Sequence, residues 1–141
     1  GTSEILRIPL DPHQRFSWTL APDGSRVAWI RSDAPDATIH VVPVPLQARQ
    51  SGPENREHEV LLKGLSQLHA LNWSPEGEGW YVTTHLPASW AILHATLEGR
   101  TQVLWQGTGE YAPEAWPSPD HRHLAFSQQE QDSNVWMLKG F

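Results

Sequence analysis

Short apolar runs recur along the chain, and each follows a turn made of proline and an acidic residue. The turns begin at Pro22, Pro75 and Pro119, and an apolar run such as Val27 to Trp29 starts five residues after each proline. A second apolar segment opens 17 residues after the first two prolines and one residue earlier in the third copy. Self-similarity with a unit of roughly 40–50 residues indicates a stacked array such as a β-propeller.

The turns share a composition that has a structural reason. Proline presets φ at the first central position of a type I turn, and glycine accepts the positive φ that completes a three-residue hairpin loop. The third copy has histidine in the glycine position, and histidine tolerates left-handed backbone better than most residues. The predicted turn residues are Pro22, Asp23, Gly24, Pro75, Glu76, Gly77, Pro119, Asp120 and His121.

The spacing of apolar residues predicts strands and no long helix. Apolar residues occupy consecutive positions in runs such as 27–30, which is typical of strands covered on both faces. The chain has 12 prolines and 10 glycines, which interrupt every segment with helical spacing. The polar segment 45–56 is predicted to be a surface loop. We predict twelve strands, near 4–8, 15–20, 26–31, 38–43, 57–62, 68–73, 79–84, 90–96, 101–105, 111–116, 123–127 and 134–138.

The strands divide into three four-stranded antiparallel blades, which makes the predicted fold all-β. Residues 4–62, with the N-terminal strand and the long loop, form the first blade, 63–105 the second and 106–141 the third. The third copy supplies only three strands, so segment 4–8 either completes it or belongs to a blade upstream. Closed propellers have four to eight blades, and three blades leave apolar faces that need a cover. Two copies in a six-bladed ring, which we favour, or upstream blades of a longer protein would provide it.

Eight tryptophans in 141 residues are a high count, and their positions suggest two roles. Large aromatic side chains suit the space between packed sheets. Trp18, Trp90 and Trp105 lie nearest to loops or segment ends and are the candidates for an aromatic ligand platform. The residues predicted to pack between blades are Trp29, Trp73, Trp80, Phe126 and Trp136.

Charge and composition exclude several classes of protein. The chain has 10 lysines and arginines against 16 acidic residues, a net charge of −6, and no basic run, which argues against a nucleic-acid groove. No apolar run approaches the roughly 18 residues of a membrane span, so we predict no membrane insertion. Cysteine is absent, which excludes a disulfide framework and a thiolate zinc site but leaves the cellular compartment open.

No motif predicts a catalytic residue, a metal or a cofactor. His121 and His123 have a spacing that would point both rings to one side of a strand, but His121 lies in the turn itself and no third ligand is placed beside them. The sequence has no Gly-x-Ser-x-Gly nucleophile motif and no phosphate-binding loop. Pairs of carboxylates such as Glu57 and Glu59 are predicted to be solvated charges at a sheet edge.

The repeat resembles a known family. The segment from Ser118 to Phe126, followed by Ser133 to Leu138, resembles the bacterial WD40-like propeller repeats of TolB-like proteins. The segment from Asn72 to Gly77 is closest to the Trp-Ser-Pro-Asp-Gly core of that family, and the other copies depart from it with Leu20, Pro117 and His121. The resemblance implies a six- or seven-bladed docking surface, in the periplasm or cytoplasm, and suggests the C-terminal interaction or sensor part of a larger bacterial protein.

We therefore expect a non-catalytic scaffold that binds a protein or peptide partner through loops at one mouth of the ring. Segments 32–37, 85–89 and 128–133 differ in length and composition while the strands beside them match. Variable loops on a rigid scaffold are where binding residues concentrate. The alternative is a propeller lyase or hydrolase with histidines and carboxylates at the channel mouth. A purely structural half-ring would predict homodimerisation alone.

Overall fold

A computed structural model describes residues 17–31, 35–44, 57–120 and 122–129 of the chain. The predicted strands 4–8 and 134–138, together with His121 and Trp136, lie outside the described residues. Within the described residues every regular element is a strand, so the predicted all-β class is confirmed.

Ten strands form three antiparallel sheets, in which each strand pairs with its neighbour along the chain. Sheet A contains β1 (Trp18–Leu20), β2 (Arg26–Arg31), β3 (Ala37–Pro43) and β4 (His58–Leu62). Sheet B contains β5 (Leu68–Trp73), β6 (Gly79–Leu86), β7 (Ser89–Thr96) and β8 (Thr101–Gly107). Sheet C contains β9 (Ala115–Pro117) and β10 (Leu124–Phe126).

The proline turns join the first two strands of each sheet with the same hydrogen bond. The N–H of the residue before each proline donates to the carbonyl of the residue four positions after it, at 2.8 Å in all three sheets. Gly24 and Gly77 take φ values of 72° and 73°, the left-handed backbone that glycine adopts without steric cost. Positions counted from the three prolines are therefore structurally equivalent.

Side chains alternate between the two faces of a sheet along each strand. A given position counted from the proline therefore lies on the same face in all three sheets. The front face is defined as the face that bears the residues four and two positions before the proline. In sheet B these are Leu71 and Trp73, paired with Val82 and Trp80. We call back face the opposite one, which in sheet A bears Ala28 and, beyond it, Ile30, Ile39 and Val41.

The front face of sheet B packs on the back face of sheet A. The indole Nε1 of Trp73 donates to the Thr19 carbonyl at 3.3 Å, and the guanidinium of Arg26 lies 4.9 Å from the centre of the Trp73 ring. Trp80 is fully buried in the same layer. This layer is the main hydrophobic core, in which Ala28, Ile30, Ile39, Val41, Val60, Leu62, Leu68, Leu71, Trp73, Trp80 and Val82 are buried.

Sheet C repeats this arrangement on the other side of sheet B. The Asn72 amide, on the back face of sheet B, donates to the carbonyl of Ala115 at 2.8 Å, and Ala115 is buried on the front face of sheet C. The Thr83 hydroxyl donates to the Pro113 carbonyl at 2.7 Å, and the Trp105 and Phe126 rings lie 5.1 Å apart. The three sheets are thus stacked front to back.

In the described parts of the chain there is no helix of the length and apolarity that crossing a bilayer requires.

Candidate interaction surfaces

The front face of sheet A carries an aromatic row that crosses all four strands. Register places Trp18 opposite Trp29, Trp29 opposite His40, and His40 opposite Glu59. The Trp29 and His40 rings stack with their centres 5.1 Å apart and 10° between their planes. The His40 Nδ1 lies 3.2 Å from a Glu59 carboxylate oxygen, so the carboxylate orients the imidazole under the indole.

This front face is open, whereas the equivalent face of sheet B is covered. Trp18 and Leu20 are 59% and 49% exposed, while Leu71 and Trp73, at the equivalent positions of sheet B, are 2% and 4% exposed. The difference arises because sheet A covers the front of sheet B and no described sheet lies in front of sheet A. A large exposed apolar patch on a folded protein marks an interaction surface. We call the surface formed by the exposed Trp18, Leu20 and Leu61, with the half-buried Trp29 and the buried His40 between them, the open front face.

The residues predicted to pack between blades have different environments. Trp73 and Trp80 lie between sheets A and B, and Phe126 lies between sheets B and C at their rim, where it is 41% exposed. Trp29 is half-buried on the open front face and does not lie between two described sheets. Trp29 is the seventh residue after its proline, and the side chain at this position lies on the front face in every sheet.

The two ends of the stack are formed by different connections. The turn end bears the proline turns, the β7–β8 turn, the end of β3 and the start of β4. The loop end bears the β2–β3 and β6–β7 connections and the links between sheets.

Trp90 holds the loop end together. It follows the tight turn at Pro87 and Ala88, and it pairs with His85 across β6 and β7. The His69 and His85 rings each contact the indole edge to face at 4.7 Å, and the buried Trp90 Nε1 donates to the Gly109 carbonyl at 3.1 Å. This bond ties sheet B to its link with sheet C. Trp90 is therefore a structural tie, and its ring surface is not open to a ligand.

Trp105 is engaged as well. Its ring packs on Phe126 and lies so close to Gly107 that a Cβ there would come within 2.3 Å of it. Of the three tryptophans predicted as ligand platforms, Trp18 alone presents most of its surface to solvent. Register and sheet stacking decide this, and neither is readable from the position of a tryptophan along the chain.

The acidic residues of the turns are used within the turns. The Ser25 hydroxyl and N–H donate to the Asp23 carboxylate at 2.6 and 2.9 Å, and these bonds lower the pKa of Asp23 below its ordinary value of 3.8. The Ser118 hydroxyl and the Arg122 N–H bind the Asp120 carboxylate and lower its pKa in the same way. Hydrogen bonds that favour the charged form explain both shifts.

Three of the described histidines lie in separate places. His40 lies on the front of sheet A, His94 packs on Tyr81 on the back of sheet B, and His123 lies 3.7 Å from Asp120 at the turn end. Among the described residues no group of three histidines, aspartates or glutamates has the geometry of a metal site. His121, the partner of His123 in the predicted pair, lies outside the described residues.

The chain matches no known protein-family model, no curated protein and no solved structure. The resemblance to bacterial WD40-like repeats therefore remains a prediction that depends on the repeat motifs. The open front face, in contrast, follows from the geometry. The sequence carries one trace of it, the alternation of Trp18 and Leu20 with smaller polar residues, but alternation does not say which face is covered.

Proposed function

We propose that this chain is a non-catalytic binding scaffold made of propeller blades of the bacterial WD40-like type, and that it binds a protein or peptide partner at its loop end. It would serve as the interaction or sensor part of a larger protein. The front-to-back stacking of sheets with equivalent turns is the observation that supports the proposal most, because blades in a propeller are arranged in this way.

The loop end is favoured over the turn end for physical reasons. The turns repeat one structure, and two of their carboxylates accept hydrogen bonds from their own turn. The loop-end connections differ from sheet to sheet and present exposed side chains such as His85, Tyr111 and Glu110. Trp90 and Gly109 hold the backbone beneath them, and a rigid base lowers the entropic cost of binding.

The test is selection of peptides from a displayed library against the immobilised chain, followed by calorimetry with the enriched peptide. We expect Tyr111→Ala and His85→Ala each to weaken binding by about tenfold or more, the range of an interface hot spot. The matched control at the turn end is Arg100→Ala, which removes a side chain that is 81% exposed and should leave affinity unchanged. Enrichment of no peptide, or an effect confined to the Arg100 variant, would contradict the proposal.

A separate measurement addresses the non-catalytic part of the proposal. In a titration with Zn²⁺ or Mn²⁺, the midpoint of thermal unfolding is measured for the unmodified chain and for a His121→Ala/His123→Ala double variant. Any shift of that midpoint in the unmodified chain should persist in the double variant. A large shift that disappears in that variant would favour a metal-dependent enzyme instead.

A further inference from the structure

The chain carries a surface that matches its own open front face. The back face of sheet C presents Trp116, 46% exposed, and Ala125, which is also exposed. Trp116 stands three positions before its proline, as Thr19 and Asn72 do on the back faces of sheets A and B. Both of those back faces are covered by the front face of the next sheet.

The two contacts inside the chain therefore define what each uncovered face accepts. A front face takes the back of the sheet before it, and a back face takes the front of the sheet after it. The front of sheet A and the back of sheet C are the two faces of the described stack without such a neighbour. A second copy of the same chain provides both missing neighbours at once.

We propose that two copies associate front to back, with the open front face of each copy packed on the back of sheet C of the other. Two such contacts related by a two-fold axis close the pair, and three sheets from each copy give a six-bladed ring, a number within the range of closed propellers. This inference depends on the proposed propeller architecture and adds the identity of the partner at these two faces.

An exposed tryptophan on each of the two faces suits such a contact. An indole buries roughly 150–250 Å² when it is covered, and tryptophan is enriched among interface hot spots. Each closed pair covers Trp18 and Trp116 of both copies. The exposed apolar members Trp18, Leu20, Leu61, Trp116 and Ala125 are uncharged, and the front face of sheet A also carries Glu59, whose side chain is 65% exposed.

Multi-angle light scattering at micromolar concentrations tests the pair directly. We expect twice the chain mass of 15.9 kDa. Trp18→Lys and Trp116→Glu should each give the single-chain mass, because each buries an unpaired charge in both contacts. Tyr111→Lys is the matched control: it places a charge at an aromatic residue that is equally exposed but lies in neither face, and the pair should persist. Circular dichroism checks that every variant is folded.

Mixing the two disrupted variants distinguishes front-to-back docking from other modes. In an equimolar mixture of Trp18→Lys and Trp116→Glu chains, one contact is native and the other places the lysine against the glutamate, so the double mass should return. In a front-to-front dimer, Trp116→Glu would leave the double mass unchanged, and mixing would not restore the pairing of the Trp18→Lys chain. That result, a single-chain mass for the unmodified protein, or growth beyond two copies would overturn the proposal.

The result is independent of the loop-end proposal. If the chain stays single but still binds its peptide through Tyr111 and His85, only the pairing proposal is wrong. If the chain pairs but selects no peptide, the proposed binding role is wrong and the proposed ring stands.

Discussion

At the scale of single residues, Gly24 isolates the backbone contribution of the proline turn. Its φ is 72°, and a Cβ placed there meets no atom within 4 Å, so a substitution changes conformational preference without a clash. We expect Gly24→Val to lower the free energy of unfolding by about 1–3 kcal/mol, the cost of holding a non-glycine residue in a sparsely populated region. Urea denaturation measures it.

Gly24→Asn is the control for this prediction. Asparagine adopts the left-handed region more readily than valine, so its loss should be clearly smaller. Equal losses in the two variants would mean that the cost comes from somewhere other than φ.

Asp23 couples the first turn to pH. Hydrogen bonds from Ser25 lower its pKa in the folded state below the ordinary 3.8, so its contribution to stability is complete above that pH and is lost as the pH falls through the folded pKa. We expect Asp23→Asn to lower the thermal midpoint at pH 7, and the gap to the unmodified protein to narrow below about pH 4. A gap that stays constant from pH 7 to pH 3 would contradict this assignment.

At the scale of elements, the two faces of a sheet give chemically similar residues opposite energetic roles. Trp80 is fully buried between sheets A and B, whereas Trp18 is 59% exposed on the open front face. We expect Trp80→Ala to cost about 3–5 kcal/mol of unfolding free energy, the range for deletion of a large aromatic side chain from a core. Trp18→Ala should cost under about 1 kcal/mol, because most of its ring stays in water.

Equilibrium denaturation of both variants checks this pair of values. The measurement is made on chains also carrying Trp116→Glu, so that loss of a copy-to-copy contact does not enter the Trp18 value. A large loss for Trp18→Ala in that background would mean that its ring is packed within the single chain.

The sequence predicted the elements well where the repeat bounds them on both sides. The predicted limits of β2 and β5 agree with the structure, because a turn or a polar residue stops the apolar run at each end. β6 and β7 extend further than predicted, to Leu86 and back to Ser89, since the Pro87 turn is tight enough for pairing to continue up to it. β9 is shorter than its predicted segment, because the residues before Ala115 connect two sheets.

The interaction surface was harder to predict, for a physical reason. The consecutive apolar residues around Trp29 correctly indicate a strand with two apolar faces, but they do not say that a neighbour covers only one of them. Trp29 thus resembles Trp80 in sequence context while it stacks on His40 at an open face. Whether a face of a sheet is covered depends on which sheets stack on it and on what lies beyond the stack.

At the scale of the whole molecule, the described chain is a linear stack in which the main contacts join neighbouring sheets. Sheet A packs on sheet B through β1, β2 and β5, and sheet B on sheet C through β5, β6 and β9. In such arrays stability is approximately a sum of the units and their nearest-neighbour interfaces, so a terminal unit opens without the rest. Sheet C, with two short described strands and an exposed rim at Phe126, is the terminal unit with the fewest contacts.

Hydrogen exchange should reveal this order. In chains that also carry Trp116→Glu and therefore do not pair, we expect Phe126→Ala, which removes the contact with Trp105, to reduce amide protection in β9 and β10 by roughly tenfold, as a loss of about 1.4 kcal/mol implies. Protection in β2, β3, β6 and β7 should stay unchanged. Trp80→Ala is the matched control, because its ring belongs to the interface of sheets A and B and its loss should reduce protection in both. Equal loss in all three sheets from Phe126→Ala would mean that the stack unfolds as one cooperative unit, so that sheet C stabilises the whole molecule instead of ending it.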